Sequence, residues 1–227
     1  MGDLPRGTVT LLFTDIEGST RLLHHLGGAY EDVLSHHRRL LRQVFSNHGG
    51  VEVDTQGDAF FYAFAGATDA VRAAAGAQRA LSDHPWPQGG GVRVRMGLHS
   101  GQPTVTELGY VGEDVHLAAR ICAAAHGAQV LLSDATAHLV PKDLDGISLR
   151  SLGEHRLKDI DDPVVLHQLV IEGLTTDFPP LRTPSSSHPT NLPPRLPALL
   201  GRDEDLSTLQ ELLASPEVSV VTLVGPG

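Results

Sequence analysis

Short apolar runs alternate with amphipathic stretches along most of the chain. Residues 8–13 (TVTLLF) are β-branched, aliphatic and aromatic, which predicts a strand that stops just before Asp15. Residues 18–20 then supply candidate N-cap residues for a helix. Apolar side chains at three- and four-residue spacing extend this helical pattern to Asn47, with a break or kink at Gly27-Gly28. The chain is therefore predicted to open with a strand, a turn and a helix.

Two further β-rich runs, residues 51–55 and 59–64, are joined through Gln56-Gly57-Asp58. This spacing is typical of a β-hairpin, so a carboxylate is expected at a tight turn. An alanine-rich helical period then covers residues 68–82. The pattern predicts a helix that crosses back over the sheet.

The remaining elements complete an alternating plan. The pattern predicts a strand over residues 92–99, a helix over 113–125, a strand over 130–132 and short strand-like pieces between 147 and 170. The order β, α, β, β, α, β, followed by an α and a β, matches the split βαβ, ferredoxin-like plan. We therefore expect an α/β (α+β) fold whose antiparallel sheet carries its helices on one face.

Composition changes sharply after residue 172. Residues 173–197 hold seven prolines and many Ser and Thr, a composition that favours extended geometry over core packing. The sequence thus predicts a first domain over residues 1–172, an interdomain linker, and the start of a second domain over 198–227. In that last part, residues 198–213 are typical of a helix and residues 218–224 of a buried strand.

Charge and cysteine content exclude several classes of protein. The chain has 17 Lys and Arg against 27 Asp and Glu, an acidic balance that argues against a broad contact with nucleic acid. It carries no stretch apolar enough for a membrane helix and nothing like a secretory signal. Cys122 is the single cysteine and, among alanines, is expected to be a small core residue. These features favour a cytoplasmic protein without membrane contact.

Candidate chemistry centres on two carboxylates. Asp15 and Asp58 are 43 residues apart, yet the predicted plan places the first strand beside the hairpin. Converging carboxylates next to a helix N-terminus at Gly18, Ser19 and Thr20, which can receive phosphate oxygens, predict a two-metal site for phosphoryl or nucleotidyl transfer. The alternative is that each Asp merely caps a helix or a turn.

Three strings together resemble the class III nucleotidyl cyclases. They are residues 13–20 (FTDIEGST), 55–58 (TQGD) and 112–120 (GEDVHLAAR), and the resemblance covers about residues 5–172. It implies the cyclase fold and the synthesis of a 3′,5′-cyclic nucleotide, cAMP or cGMP, from ATP or GTP. A polymerase palm of the diguanylate-cyclase kind is disfavoured, because no GGDEF-like turn exists.

The resemblance also assigns roles at the metal site. It implies that Asp15, Asp58 and the main-chain carbonyl of Ile16 hold two Mg²⁺ or Mn²⁺ ions. It further implies a head-to-tail homodimer with shared active sites, in which one protomer supplies the metal carboxylates and the other the transition-state groups. A monomer would then be inactive.

Arg120 falls where the family has its transition-state arginine, whose planar, permanently charged fork suits charge developing on phosphate oxygens. The alternative is an ordinary helix-surface arginine. Four residues earlier the family usually has an asparagine that orients the ribose, and this chain has His116. Histidine cannot copy the amide, so the rate is expected to be low.

The base-reading positions depart further from the family. Asp54 stands where adenylate cyclases normally have a lysine, and the usual partner aspartate aligns with Gly109. A carboxylate at position 54 could accept from the guanine N1–H and N2–H₂ donors, which favours GTP over ATP. The alternative is a solvent-facing strand residue in a degenerate module. Such a module would bind nucleotide and metal, or only dimerise, and regulate a fused domain.

The C-terminal residues carry a second resemblance. Residues 218–227, preceded by Leu199 to Arg202, resemble the strand and first glycines of a P-loop. They look like the entry to a signal-transduction ATPase of the STAND/AAA type, as found in multidomain transcription regulators. The required Gly-Lys-Ser/Thr would lie beyond Gly227. The alternative is an apolar strand followed by a Gly-Pro turn.

Overall fold

The structure is a computed structural model that describes residues 4–87, 91–107, 109–183, 203–214 and 221–222. It divides into two units, residues 1–187 and residues 188–227. The first unit holds the sheet and its packed helices. In the second unit the structure describes one helix.

The strands of the first unit follow the predicted order closely. They are β1 (Val9–Ile16), β2 (Val51–Gln56), β3 (Ala59–Phe64), β4 (Val94–Gly101), β5 (Thr104–Thr106), β6 (Gly109–Val111), β7 (Val130–Ser133), β8 (Ile147–His155) and β9 (Val164–Ile171). The α-helices are α1 (Ser19–Leu26), α2 (Tyr30–Asn47), α3 (Ala67–Asp83), α4 (Glu113–Ala124) and α5 (Asp134–His138), and α6 (Asp203–Ala214) belongs to the second unit.

Seven strands form one sheet in the order β2-β3-β1-β4-β7-β9-β8. Every neighbouring pair is antiparallel except β4 and β7, which run parallel. Strands β5 and β6 form a separate hairpin. The predicted α+β class with a mostly antiparallel sheet is therefore confirmed, and β1 is an interior strand of the sheet, between β3 and β4.

Helices cover both faces of this sheet, so the expectation that they share one face is wrong. Leu12 and Ile16 of β1 are buried in the cluster formed with α2 and α3. Leu11, from the alternate positions of the same strand, is buried instead with Ala118 of α4. Since side chains alternate along a strand, Asp15 projects towards the α4 side of the sheet.

Some element boundaries differ from the prediction. At Gly27-Gly28, where a break or a kink was expected, the structure has a break: two helices, α1 and α2, are joined by a 3₁₀ turn over Gly27–Ala29. One of the strand-like pieces expected between 147 and 170 covers residues 154–160; only its first two residues belong to β8, and a loop follows His155. Periodicity alone does not distinguish a kinked helix from two helices, because both keep the apolar positions in register.

The C-terminal predictions are only partly covered. Helix α6 lies largely within the predicted helix over 198–213, whereas the predicted strand over 218–224 falls outside the described residues apart from Val221 and Thr222. Residues 184–197 of the predicted linker and residues 198–202 of the predicted second domain are likewise outside. Residues 174–183, which composition placed outside the packed domain, lie against it, with Leu181 buried. Among the described helices, none is long and apolar enough to cross a bilayer.

Candidate active site at the end of strand β1

The pairing of β1 with β3 brings Asp58 to the end of β1. Thr14 is the register partner of Phe60, and continuing this antiparallel ladder by two residues sets Ile16 beside Asp58. The Oδ2 atom of Asp58 accepts a hydrogen bond of 3.1 Å from the backbone N–H of Ile16. The structure therefore brings the two sequence-predicted carboxylates, Asp15 and Asp58, to the same end of the sheet.

The electrostatics of this pair favour a cation. Burial raises the pKa of Asp58, and the nearby charge of Asp15 raises it further. Hydrogen bonds from the N–H groups of Asp58 and Ile16 and from the Ser19 side chain oppose this shift but do not cancel it. Two carboxylates that repel each other in a half-buried site gain stability from a divalent ion between them.

The donor set fits Mg²⁺ or Mn²⁺. Hard cations prefer oxygen ligands, and Mg²⁺ is commonly held by one or two carboxylates while water and substrate phosphates complete its shell. Asp15 and Asp58 supply such a pair. Within the part of the chain that the structure describes, no group of three or more His, Cys, Asp or Glu side chains is arranged to hold a metal. The carboxylate pair at β1 is thus the candidate metal site.

Arg95 belongs to the site, and the sequence analysis missed it. Asp15 and Arg95 are register partners on β1 and β4. The Arg95 Nε and Nη2 atoms donate to Asp15 Oδ2 at 2.9 and 2.5 Å, and Nη1 donates to the Ala123 carbonyl of α4 at 3.3 Å. Arg95 therefore ties the metal-site strand to the helix that carries Arg120. The sequence signal that could have indicated Arg95 is its position in β4, where a charged residue stands between apolar ones.

Helix α2 contributes two more residues that the sequence did not reveal. Burial raises the pKa of the Tyr30 phenol, the charges of Asp58 and Asp15 raise it further, and Arg38 opposes them. These four side chains therefore share one electrostatic environment. The Arg38 Nε and Nη2 atoms donate to the Gly57 carbonyl at 3.2 and 2.5 Å.

Arg42 secures the same hairpin one helical turn further along α2. Its Nε and Nη2 atoms donate to the two carboxylate oxygens of Glu52 at 2.8 and 2.7 Å. The hydrogen bonds from Arg42 are the main reason that the pKa of Glu52 lies at about 2, and bonds from Thr55 and Tyr62 act in the same direction against burial. Helix α2 thus holds both strand β2 and the turn that presents Asp58.

The start of α1 differs in detail from the prediction. The helix begins at Ser19, and its N-cap is Gly18 in the left-handed conformation with φ of 69°, without a side-chain cap bond. The N-cap thus lies within the predicted residues 18–20, at Gly18 rather than at Ser19 or Thr20. The Ser19 side chain instead hydrogen-bonds to Asp58, and Thr20 is exposed. Phosphate binding at this helix N-terminus stays a prediction.

The two positions predicted to contact the base, Asp54 and Gly109, lie on neighbouring elements. Asp54 is exposed, and its carboxylate accepts from Thr55 N at 2.8 Å and Gln56 Nε2 at 2.9 Å. Gly109 of β6 has φ of +127°, and a Cβ there would lie 3.0 Å from Cγ1 of Val53. The hairpin β5–β6 therefore approaches β2 next to Asp54. An aspartate at position 109 would strain the backbone and press on Val53.

Arg120 and His116 lie on α4, four residues apart and hence on one helix face. His116 is exposed. Arg120 is partly exposed and forms an ion pair with Asp159 in the loop between β8 and β9. Among the described contacts of Arg120, none joins it to Asp15 or Asp58. The described contacts within one chain therefore do not bring Arg120, the predicted transition-state group, to the two carboxylates that are predicted to bind metal.

Cys122, two residues after Arg120, is buried as the sequence predicted. Burial raises the pKa of its thiol to about 12, with the Asp15 charge adding to the shift and the Arg95 charge opposing it. A thiol with this pKa is not a nucleophile at neutral pH. It packs close to the backbone of Gly97 in β4.

Comparison with known proteins gives a consistent picture. Residues 4–170 match the family "Adenylate and Guanylate cyclase catalytic domain". The chain is 36% identical over 206 residues to the uncharacterized protein Rv0891c of Mycobacterium tuberculosis, covering 89% of this chain and 70% of that protein. It is 31% identical over 204 residues to a receptor-type adenylate cyclase of Trypanosoma congolense, covering 71% of this chain and 27% of that protein.

Solved structures resemble the first unit over most of their own lengths. An adenylate cyclase from Trypanosoma brucei, solved in its monomeric state, superposes with a TM-score of 0.73 at 27% identity, covering 78% of this chain and 95% of that one. The adenylyl cyclase CyaB from P. aeruginosa superposes with a TM-score of 0.60 at 26% identity, covering 72% of this chain and 93% of that one.

Proposed function

The chain belongs to the family of adenylate and guanylate cyclase catalytic domains, and from this premise we propose that it converts ATP or GTP to the 3′,5′-cyclic nucleotide and pyrophosphate. The observation that carries the proposal is the meeting of Asp58 with the end of β1 beside Asp15, through the bond to Ile16 N. This pair is the part of the machinery that the reaction cannot lack, since the triphosphate must be bound and neutralised.

Asp15, Asp58 and the Ile16 carbonyl would hold two Mg²⁺ or Mn²⁺ ions. Bound there, the ions would lower the pKa of the ribose 3′-hydroxyl and neutralise the triphosphate. The 3′-oxygen bonds to the α-phosphorus while the bond from that phosphorus to the bridging oxygen of pyrophosphate breaks, and the hydroxyl proton passes to solvent. No protein nucleophile is required, so the buried Cys122 has no part in this chemistry.

The active arrangement requires a second protomer. Arg120 forms an ion pair with Asp159 rather than with the carboxylate site of its own chain, so we assign it to the partner's site in a head-to-tail homodimer. There its guanidinium stabilises charge developing on the phosphate oxygens, and His116 lies near the ribose. Arg120 must leave Asp159 to act, and the exposed ion pair opposes this only weakly.

Turnover should be slow, and GTP is the favoured substrate. His116 replaces a ribose-orienting amide, and Asp54 offers acceptors that suit the guanine N1–H and N2–H₂ groups. Asp54 must first exchange its bonds to Thr55 N and Gln56 Nε2 for the base. The altered residues at positions 54 and 116 also favour a second candidate function, a regulatory module that binds nucleotide and metal without turnover.

Cyclic nucleotide formation tests the proposal. The full chain is incubated with Mn²⁺ and either GTP or ATP beside Asp58→Asn, with Asp83→Asn at the exposed end of α3 as the matched control. We expect product from the wild-type chain and from Asp83→Asn, and a loss of at least about 100-fold in Asp58→Asn. Equal product from wild type and Asp58→Asn would refute catalysis at this site.

Complementation tests the shared site. Asp58→Asn and Arg120→Ala proteins are each expected to be inactive, whereas a mixture forms heterodimers with one intact site. A random mixture should therefore recover about a quarter of wild-type activity, because half of the dimers are mixed and each has one working site of two. A mixture as inactive as its components would contradict the head-to-tail arrangement.

A further inference from the structure

Residues 174–183, which lie beyond the part of the chain that matches the cyclase family, form a strap across the first unit. Polar contacts from Gln168 and Arg150 hold its first half. Gln168 Nε2 donates to the Thr176 carbonyl at 2.7 Å, and Arg150 Nη1 pairs with Asp177 Oδ1 at 3.2 Å. The proline-rich composition does not prevent this packing, because an extended segment can be bound through its carbonyls and isolated side chains.

The second half of the strap is bound to the end of helix α4. Leu181 is 6% exposed and packs in the cluster that contains Ile121 and Ala124. The N–H of Arg182 donates to the Ala124 carbonyl at 3.0 Å, which satisfies a carbonyl at the C-terminal end of the helix. The Pro180 carbonyl accepts from His126 Nε2 at 3.0 Å. The strap is thus fixed to the helix that carries Arg120.

The Arg182 side chain then reaches Glu17, which directly follows the Asp15-Ile16 pair. Its guanidinium forms an ion pair with Glu17 Oε1, and the Glu17 side chain is only 15% exposed. Arg93 Nη2 lies 3.8 Å from Glu17 Oε2, and His126 Nδ1 lies 3.9 Å from Oε1. The carboxylate also covers Gly127, where an added Cβ would lie 2.7 Å from Oε2.

The Glu17 carboxylate is therefore surrounded by three basic side chains and is not a solvent-exposed group with a single partner. The backbone of Glu17 is held as well, because the Glu17 N–H donates to the Arg93 carbonyl at 2.9 Å. Arg182 is the one member of this site that comes from outside the residues matched to the family. Removing one partner of an ion pair costs more free energy when the remaining partner is largely buried than when the pair is fully exposed.

We propose that Arg182 is a positioning residue for the cyclase reaction, and that the strap joins the chain beyond residue 183 to the metal-binding end of β1 through Glu17. The proposal rests on the proposed function for its catalytic consequence. The same ten residues contact α4 and the end of β1, so displacement of the strap changes the positions of the Arg120 helix and of the Asp15-Ile16 segment together. Any domain or partner that pulls on the strap would thereby alter turnover.

Amide hydrogen exchange on the full chain tests the positioning role without relying on turnover. Arg182→Ala removes the contact to Glu17, and Arg150→Ala removes a contact at the other end of the strap, so it serves as matched control. We expect peptides covering residues 13–18 to exchange at least about 5-fold faster in Arg182→Ala and at the wild-type rate in Arg150→Ala. Wild-type exchange in Arg182→Ala, or equal acceleration in both variants, would overturn the proposal.

Binding of Mn²⁺ alone, followed by electron paramagnetic resonance, gives a second readout. Arg182→Ala should weaken Mn²⁺ binding about 3- to 10-fold, and Arg182→Lys, which keeps the charge, should recover most of it. In turnover assays Arg182→Ala should need more Mn²⁺ for half-maximal activity and should have a lower kcat, with a smaller change in the KM for nucleotide. Unchanged Mn²⁺ affinity in Arg182→Ala would count against the proposal. A wild-type chain that makes no cyclic nucleotide would refute the proposed function, while exchange and Mn²⁺ binding would still decide the role of Arg182.

Discussion

The carboxylate of Asp58 accepts a hydrogen bond from the backbone N–H of Ile16, 42 residues earlier in the chain. This bond fixes a half-buried carboxylate next to Asp15, whose negative charge, added to the effect of burial, raises the pKa of Asp58. The repulsion between the two carboxylates, which the pairing of Asp15 with Arg95 does not remove, would be relieved by a bound divalent cation. Stability and metal binding therefore make opposite demands on residue 58.

Asp58→Asn should separate these two demands. The amide oxygen can still accept from Ile16 N, but the repulsion with Asp15 is removed. We expect the metal-free variant to melt about 2–4 °C higher than wild type, as roughly 1 kcal/mol gives in a chain of this size. Addition of Mn²⁺ should raise the Tm of wild type and leave that of the variant nearly unchanged. Thermal melts with and without Mn²⁺ measure both effects, and a lower Tm for the metal-free variant would contradict this account.

Arg38 should matter to catalysis through the Gly57 peptide. In a trans peptide the C=O and the following N–H point in opposite directions, so holding the Gly57 carbonyl also orients the Asp58 N–H, which bonds to its own carboxylate. Arg38→Ala should lower kcat about 10-fold by loosening this turn. Arg39→Ala, its exposed neighbour on α2, should retain wild-type kcat in the same assay. Equal losses in both would show that the helix as a whole, rather than this contact, is responsible.

His37 should make the fold sensitive to acid. Its imidazole is fully buried on α2, neither ring nitrogen has a hydrogen-bond partner, and burial lowers its pKa to about 4, with the charge of Arg38 acting in the same direction. The unfolded chain binds the proton first, near pH 6.5, so this contribution to stability is complete above that pH. It is lost as the pH falls towards 4, by at most about 3 kcal/mol.

His37→Leu removes the group that must be protonated. Urea unfolding of wild type and variant between pH 7 and pH 4 measures the difference in the free energy of unfolding. The variant should be at least as stable at pH 7, and its advantage should grow as the pH falls. An advantage that stays constant with pH would exclude His37 as the source of acid sensitivity.

Gly97 should tolerate no side chain. A Cβ there would lie 2.2 Å from the backbone nitrogen of Cys122 and 2.5 Å from its Cα, and neither atom can move without shifting α4. Gly97→Ala should therefore destabilise the fold by at least about 2 kcal/mol and lower the Tm by about 5 °C or more. Gly28→Ala is the control, because an added Cβ there meets no atom within 4 Å. Equal Tm values for the two variants would disprove the close packing of α4 on β4.

The local pattern of the sequence predicted most elements of the first unit. Alternation of side chains along β1 and the hairpin spacing around Gly57 depend only on neighbouring residues, so the strand order and the convergence of Asp15 with Asp58 could be anticipated. The family strings added expected roles for Arg120, His116 and Asp54. Those roles remain predictions. Arg120, for example, pairs with Asp159 and not with the carboxylates of its own chain.

The sequence by itself determined most of the elements of the first unit, though not β5, β6 and α5, and which two acidic residues could meet, because periodicity and turn chemistry act over a few residues. Only the tertiary structure decided that α4 covers the opposite face from α2 and α3, that Arg95 pairs with Asp15, and that the strap delivers Arg182 to Glu17. Each of these contacts joins residues from separate elements. Their pairing depends on sheet register and on how helices and strap pack against the sheet, and no local pattern encodes either.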